Sequence, residues 1–154
     1  MAIREMRING DPILRKTSKT ITEFNEKLHT LIDDMRETMH KYEGVGIAAV
    51  QVGELKRVFL IEIGEEYIEF VNPEIIKSEG ASIASEGCLS VPGESGYVER
   101  PEYVTIKAFD RFGNEFVKEG EGFMAVAMCH ENDHLDGIIY IDKVIPEDEL
   151  EEIE

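Results

Sequence analysis

Cys129-His130-Glu131-Asn132-Asp133-His134-Leu135-Asp136-Gly137 is the stretch around which the chain is organised. On a helix turning about 100° per residue, His130 and His134 stand one turn apart and about 40° out of line, so both imidazoles can face one metal ion. Glu131 follows the first histidine directly, where a carboxylate can reach a metal-bound water and act as its general base. Histidine pair and carboxylate together point to metal-assisted hydrolysis. The bland alternative is an exposed polar helix whose histidines face solvent.

A catalytic metal needs a third protein ligand and an open position. One common pattern supplies a histidine six residues after the second, but Tyr140 stands there, although Gly137 is present midway. Another takes a glutamate from a later helix, and only Ile138 to Glu154 remains to build one. The candidate left is upstream: Cys88 in Glu86-Gly87-Cys88-Leu89-Ser90, a thiolate donor in a short strand-like segment.

Working outward, the metal helix runs from about Phe123 to Asp136, and Phe123, Val126 and Ala127 share the face of His130, where they can line a pocket or simply pack in the core. Apolar residues from Phe24 through Leu28, Leu31, Ile32, Met35 and Met39 to Tyr42 recur at spacings of three and four. They predict an N-terminal scaffold helix with Thr22 as cap and Gly44 as stop. His29 and His40 lie in it without a partner at ligand spacing. Gly44 and Gly46 bracket Val45, and glycines there permit close approach of another backbone. Extended segments are expected at Ile3–Ile8, at Val58–Ile63 with Tyr67–Asn72 as a hairpin, and from Pro73 onward. Glu86–Val91 and Tyr103–Asp110 also read as strands, the latter turning through Arg111-Phe112-Gly113-Asn114 into Glu115–Lys118. The expected fold is α+β, with mainly antiparallel β-sheets around a central metal-binding helix.

Gly44-Val45-Gly46-Ile47-Ala48-Ala49-Val50-Gln51, Glu86-Gly87-Cys88-Leu89-Ser90 and the histidine stretch stand in the order and at the separations that closely resemble the peptide deformylases, over Ile3 to about Val144. The resemblance implies Cys88, His130 and His134 as metal ligands and Glu131 as general acid and base, with Gln51 and the Leu89 N–H stabilising the oxyanion. It implies one divalent metal per chain, with Fe(II) favoured over zinc or another transition metal. The substrate would be an N-formylmethionyl peptide, its methionine side chain near Val45, Phe123 and Ala127 and its backbone against Val45, Gly46 and Gly87. Ile47 departs from the usual leucine, Cys129 from the usual glutamine, and the basic C-terminal helix of many relatives, which could support ribosome association, is missing.

At 154 residues and 42% hydrophobic, the chain suits one domain with its own core. We expect residues 1–146 to form the catalytic domain and 147–154, six acidic residues in eight, a solvated tail. A net charge of −17 disfavours direct nucleic-acid binding. Met1–Asn9 does not read as a signal peptide and no apolar run is long enough to span a membrane, so a cytoplasmic location is expected. Both cysteines should then be reduced. Cys129, pointing about 100° away from His130, reads as a buried structural thiol. Two rival functions use the same motif: an endopeptidase, and a noncatalytic His2Cys metal module, against which Glu131 weighs because electron transfer needs no base.

Overall fold

The computed structural model describes residues 2–153. Asn25 caps the first helix, α1 (Glu26–Lys41), its side chain accepting from the Leu28 N–H at 3.2 Å. Asparagine is the stronger cap, so the helix starts after it rather than at Thr22, and Phe24 lies ahead of the helix against Phe109. Leu28, Leu31, Ile32, Met35 and Met39 form the buried stripe of α1. Beyond Tyr42, Glu43 takes a left-handed φ of 56° and turns the chain into a short strand, β1 (Gly46–Ala48).

β1 begins a five-stranded antiparallel sheet with β2 (Val58–Ile63), β3 (Glu66–Glu79), β6 (Tyr103–Phe109) and β7 (Glu115–Glu121), ordered β1-β2-β3-β6-β7. Alternation along β2 divides the interior: Val58 and Leu60 join the core under α1, while Phe59 and Ile61 join the core under α2 (Phe123–His134). Phe59 stacks on Phe70 at 4.6 Å between ring centroids, and Phe116 adds to that cluster. One face of β1 and β2 thus carries the scaffold helix and the other the metal helix, an α+β arrangement.

The extended stretch read from Pro73 is the continuation of β3, which bends where Asn72 adopts φ 50° and the pairing shifts between Val71 and Glu74. Glu86–Val91 is not a single strand. It is the tip of a separate hairpin, β4 (Ser82–Cys88) and β5 (Val91–Arg100), turning at Leu89–Ser90. β5 escapes the sequence reading because Pro92, Gly93 and Gly96 argue against a strand.

Ile3–Ile8 forms no strand. Only Met6 of its apolar residues is well buried, and the segment is fastened by single bonds, Arg7 N–H to the Gln51 carbonyl and Asn9 N–H to the Ser90 carbonyl, both 2.7 Å. After α2, Gly137 at φ 75° reverses the chain onto β5, where the Ile145 N–H meets the Tyr97 carbonyl at 2.8 Å. The acidic end forms a short helix, α3 (Glu147–Ile153).

Phe59 is fully buried at the junction of sheet and metal helix. Phe59→Ala should lower stability by about 3–5 kcal/mol in urea denaturation, and a loss below about 1 kcal/mol would mean that this cluster does not hold α2 to the sheet.

Candidate active site

Three elements bring the site together. α2 carries His130, Glu131 and His134 on its buried side, the tip of β4 carries Cys88, and the segment from Gly44 through β1 to a 3-10 turn at Ala49–Val52 carries Gln51. They meet at a cleft of about 530 Å³. Tyr42, Val45, Phe123, Val126 and Ala127 contribute to its apolar walls, and Gly46, Gln51, Gly87, Cys88, Leu89, His130 and Glu131 are among the other residues that line it. His134 lies fully buried beneath. Each residue that the resemblance implied for metal, catalysis or peptide binding is therefore in or directly under one cleft.

The Cys88 sulfur and one ring nitrogen from each of His130 and His134 lie within 4.8 Å of one another, with Sγ to His134 Nε2 at 3.3 Å. A thiolate and two imidazoles converging beside an open cleft form a donor set suited to a catalytic zinc or iron. The fit is supported by Glu131, whose Oε1 is buried without a hydrogen-bond partner while Oε2 stands 3.9 Å from His130 Nε2. Glycine is required opposite it: a β-carbon at Gly46 would lie 2.7 Å from Glu131 Oε2.

The groups that orient the ligands were not legible in the motifs. Glu86 Oε1 accepts from His130 Nδ1 at 2.9 Å, which leaves Nε2 aimed at the ligand cluster. Arg100 grips Glu86 through two bonds of 2.8 and 2.9 Å and reaches Asp133 at 2.6 Å, and Lys143 meets Asp133 at 3.1 Å. Burial alone would raise the Glu86 pKa, but the bonds from Arg100 and His130 outweigh it and hold it down at about 2. Glu86 stands two residues before Cys88, and strand alternation was the available clue that the two share a face.

Burial likewise sets the other groups. It pushes Glu131 up to about 7, a carboxyl poised for proton transfer near neutrality. It pushes His134 down to about 3, assisted by the neighbouring His130, and so keeps that imidazole neutral. Burial also opposes charge on His130, but its hydrogen bonds with Cys88 and Glu86 and the nearby Glu131 carboxylate prevail and raise it to about 10. Cys129 packs in the core with its thiol pushed up to about 11 by burial, outside the ligand cluster. The cysteines are free thiols. His29 and His40 serve elsewhere, bonded to the Arg111 carbonyl and to Glu62.

The sequence profile of the polypeptide deformylases matches residues 3–149. The peptide deformylase of Caldicellulosiruptor bescii is 56% identical over 154 residues, covering 100% of this chain and 93% of that protein. The crystal structure of peptide deformylase from Thermotoga maritima superimposes with a TM-score of 0.92 at 39% identity, covering 95% of this chain and 100% of the other. The Synechococcus elongatus enzyme, solved in complex with actinonin, gives 0.91 at 33% identity over 97% of this chain and 82% of its own.

Two expectations follow from the geometry. In the folded protein without metal, His130 keeps its proton up to about pH 10, against an ordinary value of 6.5. The stability that this proton contributes is complete below pH 6.5 and is lost as pH rises through about 10. A metal bound at Nε2 displaces the same proton, so affinity should rise with pH through that window and uptake at pH 7.5 should release protons. Calorimetry in buffers of differing ionisation enthalpy measures the release, and none detected would overturn the assignment. Glu86→Gln should weaken metal affinity about 10–100-fold in chelator competition, and unchanged affinity would show that the Glu86 carboxylate is not needed to orient His130.

Proposed function

The chain belongs to the peptide deformylase family, enzymes that remove the N-formyl group from new polypeptides, and from that membership we propose a metal-assisted hydrolysis in which its own Glu131 moves the proton. The observation that carries the reading is the convergence of Cys88, His130 and His134 on one point of the cleft beside the partnerless Glu131 carboxylate. These three residues would hold one divalent metal, which when bound supplies Lewis acidity and an activated water. Thiolate and imidazole suit zinc and iron alike. Family resemblance favours Fe(II).

Glu131 accepts a proton from the attacking water and returns it to the leaving amine, a double duty that its pKa near 7 permits. Gln51, buried beside Cys88, and the Leu89 N–H donate to the oxyanion as the formyl carbon becomes tetrahedral. The methionine side chain enters between Val45, Phe123 and Ala127, where the cleft wall is apolar. The Val45 carbonyl already accepts from the Glu62 N–H at 2.7 Å, so Val45 offers its N–H to the peptide, and Gly46 and Gly87 leave space for its backbone.

On this reading residues 1–146 suffice for peptide turnover and 147–154 are a tail. The acidic tail and the net charge of −17 favour a freely diffusing enzyme over one anchored on ribosomal RNA. No helix among the described residues is long and apolar enough to cross a membrane. The proposed site of action is the cytoplasm, where new chains emerge.

The decisive variant is Glu131→Gln, which keeps shape and hydrogen-bonding capacity but removes the base. It should retain metal and bind formylmethionyl peptide while formate release falls about 10³–10⁴-fold. A metal-replete variant within tenfold of the wild-type rate would overturn the role given to Glu131.

A further inference from the structure

Gln51 is buried on its 3-10 turn, and both ends of its amide are held. Oε1 accepts from the Ala48 N–H at 2.9 Å, which identifies the other end as the NH2 group. Nε2 donates one hydrogen to Ser90 Oγ at 3.1 Å and the other, in a long and weak bond, to Cys88 Sγ at 3.7 Å, so its second hydrogen lies on the Cys88 side of the cleft. Ser90 is itself fully buried in the turn between β4 and β5. Its single hydroxyl hydrogen points to Met6 Sδ at 3.9 Å, which leaves the oxygen lone pairs facing Gln51. The N-terminal segment secures both residues from behind, through the Arg7 N–H on the Gln51 carbonyl and the Asn9 N–H on the Ser90 carbonyl.

We propose that Ser90 is a positioning residue that sets the rotation of the Gln51 amide, occupying one N–H so that the other stays aimed where the oxyanion develops. The proposal rests on the oxyanion role given to Gln51 above. Of the two acceptors on the NH2 group the serine oxygen is the closer and stronger, so it, with the Ala48 N–H at the other end, limits turning of the planar amide about its terminal torsion. Without Ser90 Oγ the first N–H is a buried donor lacking an acceptor, and the long bond to the Cys88 sulfur is the hold left on the NH2 end. An amide held at that end by the weak sulfur bond alone no longer presents its donor in one direction, so the loss falls on the rate of the chemical step rather than on peptide binding.

Gln51 is the only glutamine in the chain, which makes the test direct. In protein labelled with 15N-glutamine, the side-chain amide gives one pair of proton resonances. Ser90→Ala should shift the Ser90-bonded proton upfield, lower kcat about tenfold, and leave KM and metal content within twofold. Ser90→Cys fills the place of the hydroxyl with a larger atom that is a poorer acceptor, so it should show a shift in the same direction and a smaller rate loss, and it carries the test if the alanine variant folds poorly. Gln51→Ala should lower kcat about 10²-fold, and adding Ser90→Ala to it should cost nothing more.

An unchanged amide spectrum, a Ser90→Ala loss that multiplies with that of Gln51→Ala, or a loss of metal in both Ser90 variants would overturn the positioning role while leaving Gln51 in place. A Gln51→Ala enzyme within threefold of the wild-type rate would instead overturn the oxyanion reading, and the positioning role with it.

Discussion

The guanidinium of Arg100, enclosed between the Glu86 and Asp133 carboxylates, is the contact on which the rest of the site depends. It joins two pieces of the fold: the β4–β5 hairpin supplies both Arg100 and Glu86, and α2 supplies Asp133. Arg100 and Glu86 are 3% and 4% exposed at their side chains, so each was stripped of water to enter. Such a pair repays its desolvation only through near-ideal geometry, and its net contribution to stability is small. Its value is directional. Bidentate pairing holds the Glu86 carboxylate in one plane, and that plane determines which nitrogen of His130 faces the cleft. Hydrophobic residues of equal volume would pack the hairpin against α2 without directing the imidazole.

Around that anchor, steric fit sets the remaining positions. The tip of the β4–β5 hairpin closes over the segment leaving α1, where a β-carbon at Gly44 would lie 2.7 Å from Leu89 Cδ1. On the other flank Gly46 leaves room for the Glu131 carboxylate. β1 is short, yet its pairing with β2, Gly46 opposite Ile61, ties this crowded segment to the main sheet. Cleft geometry is thereby coupled to the packing of Phe59 and Ile61 beneath α2.

How much of this was legible in the sequence depended on the range of the signal. The His130–His134 pairing and the stripe of α1 are local periodicities, and local geometry fixes their faces. Cys88 could be reached by elimination and by motif, but its approach to the histidines depends on a hairpin whose second strand contains Pro92, Gly93 and Gly96. Arg100, Glu86 and Asp133 were opaque because a buried charge has the same letter as a solvated one, and these partners are 14 and 33 residues apart. Ile3–Ile8 was misread for the opposite reason. Its alternation was real, but a strand also requires a free edge to pair with, and the N–H groups of Arg4, Arg7 and the adjoining Asn9 find isolated partners on Thr38, Gln51 and Ser90.

The polar groups left without partners complete the argument. Protein interiors pair nearly all buried polar atoms, and a partnerless one costs about 1–3 kcal/mol. Glu131 Oε1 and His134 Nδ1 are both of this kind, and they stand on one helix within a single turn of each other. Nearby, burial opposes charge on His134 and Glu131 while the contacts of His130 favour it. A cation among the ligands would bring charge to the centre of the cluster, where the sulfur and both imidazoles have lone pairs to offer. The hydrophobic core and the Arg100 network must therefore hold open an arrangement that these groups would not adopt by themselves. On the proposed mechanism this local cost is what would leave Glu131 free to exchange a proton with substrate, since a carboxylate already satisfied by protein donors would have its pKa driven down and would be a poorer base.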